Sequence, residues 1–356
     1  MIIFMNLKTF IRFTFLFSFI LLFLATCDKE ERKEYYNSGP LRSITTYRDS
    51  VKDGPYILYF GNGKVWAKGQ YKDGEKDGAW NIWRENGKLK IEEYYKSGNL
   101  DGIRKEWYEN GQQKTEVKYE AGVCDACFCK YKTNAGNFCI EKEWYENGKL
   151  KEWRYKTENE EKCVVKTWHE NGKIAEEGNY KSGLLDGEWK TWYENGKIRS
   201  EKYYKEDLED GSWKEWFENG KLKNIESYKE GRKNGVWRTW YENGQLEAEE
   251  NYKAGLLDGV RREWHENGKI RLKEYYKDGE LDGVHKAWHE NGRMSETQEF
   301  KKGMFTGLWR SWYKNGIVAT EINYNNCQED CIEKRWLENG EFFMEYHIPS
   351  SNVYSK

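Results

Sequence analysis

The sequence predicts an all-β chain: an extended, twisted meander of antiparallel β-hairpins built from thirteen 24-residue repeats. Three observations predict it. The glycines of the Asn-Gly pairs keep a fixed register: Gly63, Gly87 and Gly111, then Gly148, Gly172, Gly196, Gly220, Gly244, Gly268, Gly292, Gly316 and Gly340. Each step is 24 residues except Gly111 to Gly148, which is 37, or 24 plus 13; Gly39 stands one step upstream. A fixed period marks an array that grows along one axis. Second, apolar and polar residues alternate between these turns, as on strands with one wet and one dry side. Third, aromatic residues make up 17% and charged residues 34% of the chain, with only three prolines, a composition unlike disorder.

The 356 residues carry a formal net charge of −2, so no basic footprint for nucleic acid exists. Residues 1–26 read as a leader. Lys8 and Arg12 are its cations, and Phe13–Ala25 is an unbroken apolar run, short for a membrane span and right for a signal-peptide core. It ends in "LATC", which resembles the lipobox of bacterial lipoproteins, with Cys27 as the acylated first residue of the mature chain. An uncleaved anchor beginning near Ile2 is the alternative. Either way the expectation is an exported, membrane-anchored chain of the bacterial cell envelope. Residues 27–34 would be a short tether, 35–346 the repeat array and 347–356 a C-terminal tail.

Each unit is numbered here from its turn Gly as position 0. Position 2 is Leu, Ile, Val, Met or Phe in all copies but one, where it is Gln113. Position 8 is usually Tyr, and position 20 is Trp in every full copy except the first, where it is Tyr59. Positions 2 and 8 share parity, which predicts that they face one side. A three-residue Glu-Asn-Gly loop, with Gly in the left-handed region as a bulge, sets position 20 opposite position 2. Trp, Leu/Ile and Tyr would then share a face, on the concave or covered side of a curled sheet. A second turn, such as "KSGLLDG" at Lys181–Gly187, also uses Gly for positive φ.

Position 17 is Trp in five copies: Trp80, Trp189, Trp213, Trp237 and Trp309. Its parity opposes that of the position-20 Trp. With Tyr193, Tyr241 and Tyr313 at position 21, it forms a candidate binding ladder on the other face. The rings could equally cover Lys and Arg stems on a solvated face, or offer a platform to a protein or glycan partner. The Glu at position 22 recurs in ten copies, which suits a turn residue better than a catalytic one. Three of the five His replace Tyr at position 21, as surface substitutions. No nucleotide-phosphate loop or kinase signature is present, and no catalytic residue, metal site or cofactor is expected.

Cysteines interrupt the pattern. Cys124, Cys127 and Cys129 lie in a Cys-rich insertion, residues 123–138, while Cys139, Cys163 and Cys331 fall on the second turn's second Gly and Cys327 on its first. Outside the cytoplasm disulfides are the better expectation than a metal cluster. Cys327 and Cys331 are the candidate local disulfide.

The unit "DGEWKTWYENGKIRSEKYYKEDLEDG", Asp186–Gly211, and its copies resemble the bacterial variant of the MORN repeat. That resemblance implies scaffold or interaction material. Some bacterial relatives resemble YwqK-like proteins labelled as antitoxins, which implies the alternative of an immunity protein that neutralises a toxin by binding. The expectation is an exported, lipid-anchored repeat scaffold that binds a protein or glycan partner.

Overall fold

The computed structural model describes residues 29–124, 141–156, 162–326 and 330–349. They divide into two compact units, one holding the residues up to Cys124 together with 141–148, the other the residues from Lys149 onward. Each is an all-β meander of antiparallel strands in which sequence neighbours pair. Strand Glu30–Tyr35 begins inside the segment expected to be a tether, and strand Phe342–Pro349 runs into the expected tail.

The hairpin around Gly244 shows the local logic. Tyr241 N–H donates to Gln245 O at 2.9 Å, and Gly244 N–H donates to Tyr241 O at 2.8 Å. Glu242, Asn243 and Gly244 therefore form the expected three-residue loop, closed by Gly244 at φ 95°. The second turn is tighter. Lys253 pairs with Leu256, leaving Ala254 (φ 51°) and Gly255 (φ 92°) as a two-residue turn with both central residues left-handed. The strand after it breaks at Asp258 into Leu256–Leu257 and Gly259–Trp264. The units consequently hold more strand segments than two per repeat.

One expectation fails here. In each of the well-formed hairpins the register shifts just after the loop: Thr239 pairs with Ala248, but Trp240 pairs with Leu246. Glu247 is the extra residue of a β-bulge, which flips the phase of everything that follows. Position 2 therefore faces with the position-20 Trp, while position 8 faces with the position-17 Trp. The Trp/Leu/Tyr face predicted by parity does not exist. The buried residues gather on the position-17 face instead, as at Trp80, Val117, Tyr180 and Trp213.

Candidate binding surface

The position-17 Trp residues do line up, but not with the tyrosines expected beside them. Trp213 lies 5.3 Å from the Tyr204 ring and 4.7 Å from Tyr228; Trp237 lies 5.2 Å from Tyr228 and 5.1 Å from Tyr252. These are position-8 tyrosines, so Trp and Tyr alternate along one continuous stack. Trp80 is packed by Tyr56, Tyr71 and Tyr95 in the same way. Its indole N–H donates to Gln70 O, as those of Trp213 and Trp237 do to Tyr203 O and Ser227 O. Lysine ammoniums cap the rings: Lys233 Nζ sits 3.9 Å from the Trp237 centroid and 4.7 Å from that of Tyr252. Trp80 and Trp213 are only 4% and 9% exposed. Trp189 and Trp309 are half-buried, in contact with the clusters around Tyr180 and Ile322. This stack is the interior of the repeat rather than an open platform.

Burial on that face reaches charged groups too. Where position 17 is Arg or His, ion pairs and charged hydrogen bonds fill it, while Tyr56 and Val165 keep it apolar in two other copies. Arg261 bridges Glu250 at 3.0 Å and Glu274 at 2.8 Å and also meets Glu263. His285 Nδ1 lies 3.0 Å from Glu274. Burial works against the Glu274 charge, yet hydrogen bonds from His285, Arg261 and Tyr276 outweigh it and hold its pKa down at about 2. Burial, then a hydrogen bond to the Glu two residues earlier, pushes Tyr95, Tyr228 and Tyr252 above the ordinary phenol range.

Tyr193, Tyr241 and Tyr313 do other work. Each reaches one repeat on: their hydroxyls donate to the carbonyls of Trp216, Trp264 and Trp336 at 2.7, 2.8 and 2.9 Å. The histidines at position 21 are not idle surface substitutions. His169, His265 and His289 place Nε2 2.8, 2.9 and 2.9 Å from the same carbonyl of the next repeat, and Arg84 reaches Trp107 O at 2.7 Å. Tyr, His and Arg share one property, a donor at the right reach. That shared property was the signal available in the sequence.

In each unit the opposite face carries a row of position-20 Trp residues, every member half-buried where described. Equivalent strands of successive repeats stand two strand spacings apart, so these rings recur about every 10 Å. Ion pairs between positions 18 and 5 separate them, as in Arg238–Glu249 and Arg262–Glu249, both at 2.8 Å, and Lys166–Glu177 at 3.0 Å. Trp312, Val318 and Trp336, with Arg310 and Glu321 beside them, line a shallow hollow on this face.

Cys163 and Cys331 are both disulfide-bonded and buried. Cys27, Cys127, Cys129, Cys139 and Cys327 lie outside the described residues, as does the apolar run Phe13–Ala25. No helix among the described residues is long and apolar enough to cross a membrane. Among the same residues no cluster of three His, Cys, Asp or Glu side chains is placed to hold a metal ion.

A family model described as the MORN repeat variant matches ten segments: 52–73, 76–97, 100–121, 140–156, 164–182, 185–206, 209–230, 233–254, 257–278 and 305–326. The chain belongs to the MORN repeat variant family. Those segments cover more than half of it; apart from 140–156, whose first residue lies outside the described residues, each begins in the strand after the second turn and runs through the Asn-Gly hairpin. No curated protein matches the chain. Among solved structures, the crystal structure of TcdB2-TccC3-Cdc42 aligns with 91% of this MORN-variant chain and 20% of its own, at 9% identity and a TM-score of 0.19. The crystal structure of TcdB2-TccC3 aligns with 88% and 22%, at 9% identity and a TM-score of 0.15. The chain therefore spans about a fifth of those chains, and likeness at this level says nothing of function.

Proposed function

We propose that this MORN-variant chain is an exported, lipid-anchored scaffold that binds a protein or glycan partner at the cell envelope, along the position-20 Trp row. The observation that carries the binding surface is the division of labour between faces. Trp80 and Trp213 are buried, and Trp189 and Trp237 pack on position-8 tyrosines, whereas the position-20 rings stay half-exposed at a regular pitch. Planar rings flanked by paired charges suit stacking and hydrogen bonding to a sugar chain or an extended protein segment. The anchoring part rests on the leader and "LATC" alone.

Trp240→Ala and Trp264→Ala in the exported chain test the surface. Binding to isolated envelope glycan and protein fractions should fall while the circular dichroism spectrum stays that of the parent. Undiminished binding would place the surface elsewhere. Stoichiometric, saturable inhibition of one toxin would redirect the reading to an immunity protein.

A further inference from the structure

We propose that copies of this chain associate head to tail, the C-terminal edge strand Phe342–Pro349 of one pairing with the N-terminal edge strand Glu30–Tyr35 of another. Each strand has one partner only among the described residues. Glu30–Tyr35 pairs with Leu41–Arg48, and Phe342–Pro349 pairs with Asp330–Trp336. Among the described residues the outer side of each presents backbone N–H and C=O groups with no strand partner, a template for another strand.

The register of the array selects the occupant. Inside the sheet, every strand of positions 2–9 is followed by a strand of positions 14–20, with position 4 opposite 19 and position 5 opposite 18. Ala248 faces Glu263 and Glu249 faces Arg262; Ser200 faces Glu215 and Glu201 faces Lys214. Phe342–Pro349 occupies positions 2–9 counted from Gly340. Glu30–Tyr35 occupies positions 15–20 of the unit one step before Gly39, and Tyr36 already makes the position-21 bond, to Tyr59 O at 2.6 Å. The array thus opens on the strand type with which its last strand would pair.

Charge agrees with register. In that alignment Glu345 meets Lys33, the same acid–base pair as Glu249 with Arg262 at 2.8 Å inside the sheet. His347 meets Glu31, and Tyr346 meets Arg32. Within one copy Lys33 and Glu345 have only loose partners, Lys334–Glu345 at 3.8 Å and Lys33–Glu31 at 3.5 Å, all well exposed, whereas Arg32 already bonds Glu30 at 2.9 Å. The C-terminal edge also leaves Phe342 and Phe343 57% and 54% exposed, and the N-terminal edge leaves Tyr35 60% exposed. Position 2 elsewhere lies beside the Trp of the following strand, a place that Tyr35 would take over Phe342. The contact joins two different surfaces, so each added copy leaves one free edge of each kind, and copies accumulate until a ring closes or the chain runs on.

Sedimentation velocity of the full exported chain in detergent tests this across a wide concentration range. The mass should climb with concentration in steps of one copy. Lys33→Glu or Glu345→Lys alone sets like charges opposite each other and should weaken association several-fold, up to about fivefold. The double variant restores opposite charges and should regain it. A chain that stays monomeric throughout overturns the proposal. So does association indifferent to both variants, or association that responds to Glu345→Lys alone, which would mean C-terminal edges pairing with each other. Circular dichroism of each variant separates lost pairing from lost folding.

Discussion

Removing one hydroxyl should measurably loosen the joint between two repeats. In Tyr241→Phe the ring keeps its volume, so no cavity opens. What is lost is the Oη donation to Trp264 O at 2.8 Å, a bond spanning 23 residues of chain and one repeat boundary. A neutral hydrogen bond of this kind contributes about 0.5–1.5 kcal/mol net. The site is only partly buried, so water can reach the abandoned carbonyl, and the expected loss is about 1 kcal/mol. The chain also contains the reverse experiment. Phe217 holds the same position one repeat earlier and has no hydroxyl to offer Trp240 O. Phe217→Tyr should therefore stabilise by a similar or smaller amount.

Because a repeat array is stabilised by nearest-neighbour interfaces, both effects should localise. Hydrogen exchange should quicken in Gly259–Trp264 for Tyr241→Phe and slow in Gly235–Trp240 for Phe217→Tyr. Urea unfolding followed by tryptophan fluorescence gives the totals. His265→Tyr serves as a control that keeps a donor, and should be near neutral. If Tyr241→Phe and Phe217→Tyr both leave stability and exchange unchanged, the position-21 bond is not what couples repeats.

Four further outcomes follow from the same geometry. Gly244→Val should cost about 1–2 kcal/mol in urea unfolding, because a β-branched residue is poorly tolerated at φ 95°. Gly178 has ordinary φ, but a Cβ there would stand 1.8 Å from the Trp189 ring. Gly178→Ala should therefore cost about 1–3 kcal/mol by overpacking, less about 0.4–1 kcal/mol gained in the unfolded chain, and a raised melting temperature would contradict that contact. Glu274 has a folded pKa of about 2, below its unfolded value, so its contribution is complete above about pH 5 and is lost as pH falls toward 2. Titrating stability in Glu274→Gln should show this acid-side slope reduced, by on the order of 2–3 kcal/mol over that window. Cys27→Ser should release the chain from membranes or leave the leader uncleaved, read by membrane partition and intact mass.

The turns were legible in the sequence and the faces were not. Glu-Asn-Gly specifies its own loop, because Gly alone fits the left-handed closing position comfortably, and the loop is local. The face on which Tyr228 lies depends on whether Lys223 is paired or bulged, and nothing in "LKN", Leu222–Asn224, marks that choice. It is settled by the partner strand, where Glu215 pairs with Asn224 and Trp216 with Leu222. One uncounted residue moved the Trp213 ladder from solvent to interior. The role of Tyr193 was hidden for a related reason: its acceptor, Trp216 O, lies in the following repeat. Only an inventory of donors across Tyr, His and Arg at position 21 could have hinted at it.

The phrase Glu-Asn-Gly-Lys recurs because much of it serves the boundary between repeats. Asn195 Oδ1 accepts from Lys197 N–H within its own turn, while its Nδ2 donates to Glu218 O of the next. Lys197 Nζ reaches Asn219 O at 2.7 Å. The same ladder runs through Lys173, Lys221 and Lys269. At the C-terminal end it fades: Ile317 and Glu341 hold the Lys place, and Leu337 holds that of the donor at position 21. A second copy docked beyond Phe342–Pro349 would gain strand pairing and the Glu345–Lys33 contact, but neither of these edge bonds. Interior joints survive the loss of one such bond, since Phe217 and Gln245 occupy these places without interrupting the sheet. A joint lacking both must be weaker than any that keeps one. Association between copies should therefore be reversible and governed by concentration, and Leu337→Tyr with Glu341→Lys, which supplies both donors, should tighten it.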